Sequence, residues 1–186
     1  MSEWKESAKK DVLLLVKKYD KIVKENRANR YKEEETKKDF ILPLFRALGW
    51  NVEDSSEVTA EERISKNRVD YGFRINGVSK FFLEAKALRE DLDDPKFLEQ
   101  AVYYAFYRRC PWAVLTNFET VKILNAEWEA PNYSYSRFRE IKCNEFLDEF
   151  EDLWLLSKES FEQGSLDKLA EKYGRAKKTP IDKQLE

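Results

Sequence analysis

The chain of 186 residues contains no histidine. That removes Ser-His and Cys-His nucleophilic systems, the common zinc-hydrolase ligand sets and histidine-based metal nucleases. Glycine is scarce, with five in all. Gly72 and Gly77 fall at phosphate-loop spacing in "GFRINGVS", but Val78 stands where such a loop needs lysine. The stretch reads as a hairpin, so a nucleotide-binding loop is excluded. Long apolar runs are missing too. The longest, Ala101–Tyr107, has seven residues, against the roughly 20 that span a bilayer. The first twenty residues offer only Val12–Val16 between charges, which is not a signal peptide. Cys110 and Cys143 are the two cysteines; without a secretory signal they are expected to be reduced and packed, in a cytoplasmic protein. A net charge of −2 shows no global polycation, so nucleic-acid binding would need a local basic patch.

What remains is enough for one folded domain. Hydrophobic residues make up 42%, including 12 Phe, 9 Tyr and 5 Trp, which can fill a core. Any catalysis must therefore run on carboxylates, lysines and a metal.

Residues 4–25 carry Ala8, Val12, Leu15, Val16, Tyr19, Ile22 and Val23 at helical spacing. A second helix is expected over 33–48, kinked at Pro43 and capped by Gly49. From Trp50 the period changes to two. "WNVED" and part of "EVTAEERI" form a first strand, "RVDYGFRI" a second, and residues 79–88 return after the Asn76-Gly77 turn signal. Asp93 or Asp94 caps a third helix that starts at Pro95 and runs to about Arg109. "WAVLT", "TVKIL" and "FREIKC" read as further strands, followed by a helix after Asn144 and a shorter one after Ser165. This order predicts an α/β fold with a central mixed β-sheet flanked by helices.

The hairpin carries the chemistry. A strict two-residue turn pairs Ile75 with Val78 and sets Glu84 and Lys86 among Val69 and Tyr71, mixing charge with core on both faces. An odd loop, pairing Arg74 with Val78, or a bulge instead gathers Asp70, Glu84 and Lys86 on one face. Two carboxylates and a lysine so gathered suit Mg²⁺, with the lysine stabilising charge at phosphorus. A plain Asp–Lys–Glu salt-bridge cluster on a solvated face fits the three residues equally well. Gln100 and Tyr104, four apart, share one side of the third helix.

Asp70, thirteen intervening residues, Glu84-Ala85-Lys86 and then Gln100-x-x-x-Tyr104 resembles the PD-(D/E)xK nuclease superfamily. More narrowly it resembles the Q-x-x-x-Y branch, found in type I restriction subunits and the N-terminal domains of type IIG restriction–modification enzymes. "EETKKDFILPLFRALGWN", "VLTN" (114–117) and "EDLWLLSKESFEQGSLDKL" extend the resemblance over residues 33–173. Val69 replaces the nominal proline before the aspartate, and Phe118 stands where the branch often has glycine.

The resemblance implies a three-layer restriction-endonuclease-like fold and Mg²⁺-dependent cleavage of double-stranded DNA, with Mn²⁺ as a substitute. It implies Asp70, Glu84 and the Ala85 carbonyl as metal ligands, Lys86 as catalytic lysine and Gln100 as a positioning group. Glu35 would hold a metal-bound water, and Tyr104 would contact DNA or brace its helix. Arg68, Lys37, Lys38 and Arg108 are candidate DNA contacts. Residues 1–32 then read as a helical extension, 33–130 as the nuclease core, 131–173 as a strand and helices packed on it, and 174–186 as a linker to a further domain. Methyltransferase and target-recognition domains, in the same polypeptide or complex, are the expected partners, with a transient dimer for double-strand cuts and no membrane. The alternatives are a degenerate nuclease fold that only binds DNA or protein, and a repair nuclease or resolvase.

Overall fold

A computed structural model of the chain describes residues 3–64, 67–127 and 137–182. Helix α1 (Glu3–Lys24) opens the fold, with Glu3 and Glu6 in its first turn and Lys21 and Lys24 in its last, charges that oppose the helix dipole. Its apolar stripe, Ala8, Val12, Tyr19 and Ile22, enters the core that also holds Phe40, Phe45, Phe73, Phe81 and Trp154. The first helix is thus part of the domain's packing, not a separate layer.

Six strands follow among the described residues: β1 (Val58–Ile64), β2 (Asn67–Ile75), β3 (Val78–Ala85), β4 (Trp112–Thr116), β5 (Thr120–Asn125) and β6 (Arg137–Lys142). They form one mixed sheet in chain order. Among the described residues only β3 and β4 run parallel, and α4 (Pro95–Tyr107) makes the crossover between them. The α/β layering expected from the sequence is the one found. On one face α1, the second helical segment and α5 (Phe150–Trp154), α6 (Lys158–Glu162) and α7 (Ser165–Asp182) bury the aromatic core. On the other, α4 covers Phe82, Ala113, Leu115 and Leu124 with Leu98, Ala101, Val102, Tyr104 and Ala105. β4 lies between the two layers and is buried along its whole length.

The second helical segment differs from the expected kinked helix. It consists of α2 (Glu33–Thr36), a π-helical turn (Lys37–Ile41) and α3 (Leu42–Ala47). Pro43 lacks an N–H and crowds the carbonyl four residues back, so the ladder is relieved one turn upstream by the wider π geometry. Gly49 ends the segment at φ 95°, and a Cβ there would stand 2.6 Å from the Trp4 ring. Both the left-handed backbone and the close approach of α1 require glycine.

Two other elements depart from the sequence pattern. Residues 51–57, expected as part of the first strand, form turns closed by Glu57 N–H to the Asp54 carbonyl and Val58 N–H to the same oxygen. The segment after 174, which reads as linker, continues as α7 to Asp182, and residues 183–186 lie outside the described residues. No helix among the described residues is long and apolar enough to cross a membrane. Cys110 and Cys143 are buried free thiols, each pushed up to about 11 chiefly by burial.

Candidate metal centre and its lysines

The β2–β3 turn is the tight one. Ile75 pairs with Val78, and Asn76 and Gly77 both adopt positive φ (51° and 77°), as a two-residue type I′ turn requires. The pairing then slips: Arg74 faces Ser79, but Phe73 faces Phe81, leaving Lys80 as a bulge. Beyond the bulge Tyr71 pairs with Leu83, so the continuing register sets Asp70 opposite Glu84. The bulge therefore does the work that an odd loop would have done.

Strict alternation fails one step further on. Val69, which the alternation groups with Phe73, packs instead with Phe82 beneath α4. The break falls at Asp70, across from Glu61, whose φ of 51° interrupts β1. Asp70 turns toward the π-helical turn, bonding Lys37, while Lys86 lies over the Phe97 ring of α4, 4.6 Å from its centroid. The groups thus meet at the end of the strands, between the two helical layers.

Asp70, Glu84 and Lys86 are 8%, 3% and 8% exposed. One Asp70 oxygen accepts a hydrogen bond from the Ala85 backbone N–H at 2.7 Å, and the other accepts from Lys37 Nζ at 2.6 Å. Lys86 Nζ donates to Glu84 Oε1 at 2.6 Å. Burial, then the neighbouring Asp70 charge, pushes the Glu84 carboxyl up to about 7, and Lys86 only partly offsets them. Two buried carboxylates that repel each other suit a hard divalent cation, which accepts one or two carboxylates and keeps its waters. Among the described residues no group of three or more acidic or thiol side chains is placed to hold a metal ion together, so such an ion would rest on these two and the Ala85 carbonyl.

The folded-state value near 7 lies above the ordinary 4.5 of this group. The folded protein therefore binds more protons than the unfolded chain between about pH 4.5 and 7, and stability falls as pH rises through that window. Without metal, Glu84→Gln should flatten this fall. Above pH 7 the variant should be more stable than the wild type by on the order of 2–3 kcal/mol. Thermal melts from pH 5 to 8 measure the difference, and parallel curves for the two proteins would contradict it.

The loop after Lys86 is held at several points. Lys86 N–H donates to the Thr116 carbonyl, Leu88 N–H to Thr36 Oγ1, and Arg89 N–H to Glu119. Asn117 Nδ2 donates to the Glu90 carbonyl, while the buried Lys122 Nζ donates to the Leu92 carbonyl and Asp93. Asp94 then caps α4 through Lys96 N–H. These bonds fix both the backbone that carries Lys86 and the helix whose Phe97 lies beneath it.

The remaining candidates are placed as follows. Gln100 is exposed on α4, between Phe97 and Tyr104. Tyr104 is 2% exposed, with its ring edge-on to Phe82 at 5.0 Å. Glu35 is exposed and accepts from Lys32 N–H, closing the first turn of α2. Its neighbour Glu33, which sequence spacing passed over, bonds Lys37 at 2.8 Å, and its charge reaches Glu84. A helical signal existed: Glu33 and Lys37 stand four apart. Lys37, expected as a DNA contact, is turned inward and 6% exposed. Lys38 and Arg108 are exposed, and Arg68 pairs with Glu61 at 3.3 Å.

No family model matches the chain. It is 32% identical to the type II restriction enzyme and methyltransferase RM.Eco57I of Escherichia coli, over 86% of this chain. The chain is homologous to a segment of that protein. The match spans 18% of the larger protein's length. A fragment assigned as the HsdR subunit of a type I restriction enzyme from Vibrio vulnificus aligns over 65% of the chain at 16% identity, with a TM-score of 0.44.

Proposed function

We propose that this chain is the DNA-cleaving module of a restriction–modification protein, a Mg²⁺-dependent endonuclease domain of the PD-(D/E)xK type. The observation that carries the proposal is the meeting of Asp70, Glu84 and Lys86 at one buried strand end, achieved through a bulge in an otherwise tight hairpin. Homology to a segment of a protein named for both restriction and methylation supports the biological setting. Methyltransferase and target-recognition partners, joined or associated, belong to the same proposal.

Asp70, Glu84 and the Ala85 carbonyl would hold the divalent ion. When bound, it supplies Lewis-acid polarisation of a phosphoryl oxygen and a more acidic water. Lys86 supplies a fixed positive charge toward a phosphate as negative charge grows on the pentacoordinate phosphorus. Phe97 shields that ammonium from one side, and the bonded loop keeps it in place. Gln100, exposed on α4 one turn from Phe97, would be the group that positions a bound phosphate. Lys38, Arg68 and Arg108 are exposed candidates for contact with the DNA backbone; with a net charge of −2 such binding would be steeply salt-dependent.

Supercoiled plasmid incubated with the chain should be nicked in Mg²⁺ or Mn²⁺, without sequence preference, and remain intact with chelator. DNA binding with no nicking in either metal would favour a binding module over an enzyme.

A further inference from the structure

Lys37 is the one ammonium of the site that the proposed chemistry does not use. Its Nζ is bound by Glu33 at 2.8 Å, Glu34 at 2.8 Å and Asp70 at 2.6 Å. An ammonium has three donors, and three carboxylates take them. The position follows from the backbone. Lys37 opens the π-helical turn, one turn after Glu33 and Glu34, so the helix supplies two acceptors near the surface and β2 supplies the third below. Glu34 is 83% exposed at its side chain and Asp70 9%. The lysine therefore bridges a solvated pair of carboxylates and a buried one.

The local charges do not balance. Glu33, Glu34, Asp70 and Glu84 are four carboxylates, and Lys37 and Lys86 are two ammoniums. The difference, four minus two, is the charge of one divalent cation. Asp70 cannot give a coordinating oxygen to such an ion at full strength while it accepts from both Ala85 N–H and Lys37. Glu33 and Glu34 offer the ammonium a second resting place without leaving its helix.

We infer that Lys37 is an exchangeable counter-ion of the metal centre: it neutralises Asp70 when no metal is bound and withdraws to Glu33 and Glu34 when a divalent cation arrives. Lys37 thereby sets the affinity of the centre for metal and preserves Asp70's orientation in its absence. This inference rests on the reading of Asp70 and Glu84 as a metal site.

Binding of Mn²⁺, followed by loss of the free-ion paramagnetic resonance signal, tests it in the wild type, Lys37→Met, Lys37→Arg and Asp70→Asn. Removing the competing charge should tighten Mn²⁺ binding in Lys37→Met by roughly five- to a hundred-fold, the usual span of coupling between two sites. The same variant should melt lower than the wild type in chelator and gain more from saturating Mn²⁺. Lys37→Arg keeps the charge and can grip Asp70 through two parallel bonds, so it should bind Mn²⁺ more weakly than the wild type. That second variant carries the test if Lys37→Met does not fold without metal. Equal or weaker Mn²⁺ binding by Lys37→Met, or tighter binding by Lys37→Arg, overturns the exchange while leaving the metal site standing. If the wild type binds no better than Asp70→Asn, the metal site itself is wrong and the exchange falls with it.

Discussion

Lys86→Ala is expected to lower Mg²⁺-dependent plasmid nicking by about a thousand-fold at neutral pH, the scale of losing one pre-placed donor to a growing negative charge. Lys86 does two things in the structure. It presents an ammonium at the strand end, and through a 2.6 Å bond it favours the ionised form of the buried Glu84. Without it, burial and the Asp70 charge act on Glu84 unopposed by the lysine, so the carboxyl should titrate above about 7. The two contributions separate by pH. Raising the pH should restore the ionised Glu84, and with it metal binding, but should not restore cleavage. Single-turnover nicking and Mn²⁺ binding measured together at neutral and alkaline pH make the distinction. Recovery of near wild-type cleavage at high pH would reduce Lys86 to a partner of Glu84 and remove it from the chemistry.

Trp50→Ala is expected to destabilise the domain by about 4 kcal/mol, within the range for deleting a buried tryptophan. A chain of this size should then melt about 8–16 °C lower. Trp50 is 1% exposed and meets Phe73, Phe81 and Phe161 edge-on at 5.2–5.9 Å. Its indole N–H also donates to the Leu156 carbonyl at 2.8 Å, beside a second link from Lys158 N–H to the Leu48 carbonyl. The ring therefore joins the end of the second helical segment, the hairpin and the C-terminal helices. Trp50→Phe should keep much of the ring packing but orphan the Leu156 carbonyl, costing roughly 1–3 kcal/mol. Urea unfolding would rank the two. Equal losses from both variants would mean that the hydrogen bond, not the packing, dominates.

The architecture was largely legible because its signals are local. The Asn76-Gly77 turn, the Asp94-Pro95 helix start and the apolar β4 each contain their own cause. The gathering of Asp70 and Glu84 was also legible, since apolar segregation demanded a register shift; whether loop or bulge provided it was not, because Lys80 is chemically ordinary. The roles of Glu33, Lys37 and Tyr104 were harder to read. A lysine beside two glutamates reads as a solvated helix face, and only the fold brings Asp70 beneath it. Likewise the π turn at Lys37–Ile41 has no compositional mark beyond the proline that follows. The short α6 escaped notice because five residues give too little periodicity to see.

The bulge at Lys80 has a consequence for how the gene can drift. With a two-residue turn, thirteen residues between Asp70 and Glu84 put the acids opposite each other only if one residue is left out of the pairing. Loss of the single Lys80 codon would remove the unpaired residue itself, leaving a continuous ladder in which Asp70 still faces Glu84. A codon added to β3, or one lost from β2 between Asp70 and the turn, would instead leave two residues unmatched, and a single bulge would no longer bring Asp70 opposite Glu84. Length changes in this hairpin should therefore be tolerated in one direction only, as a residue lost from β3 or gained in β2, unless a second bulge restores the count.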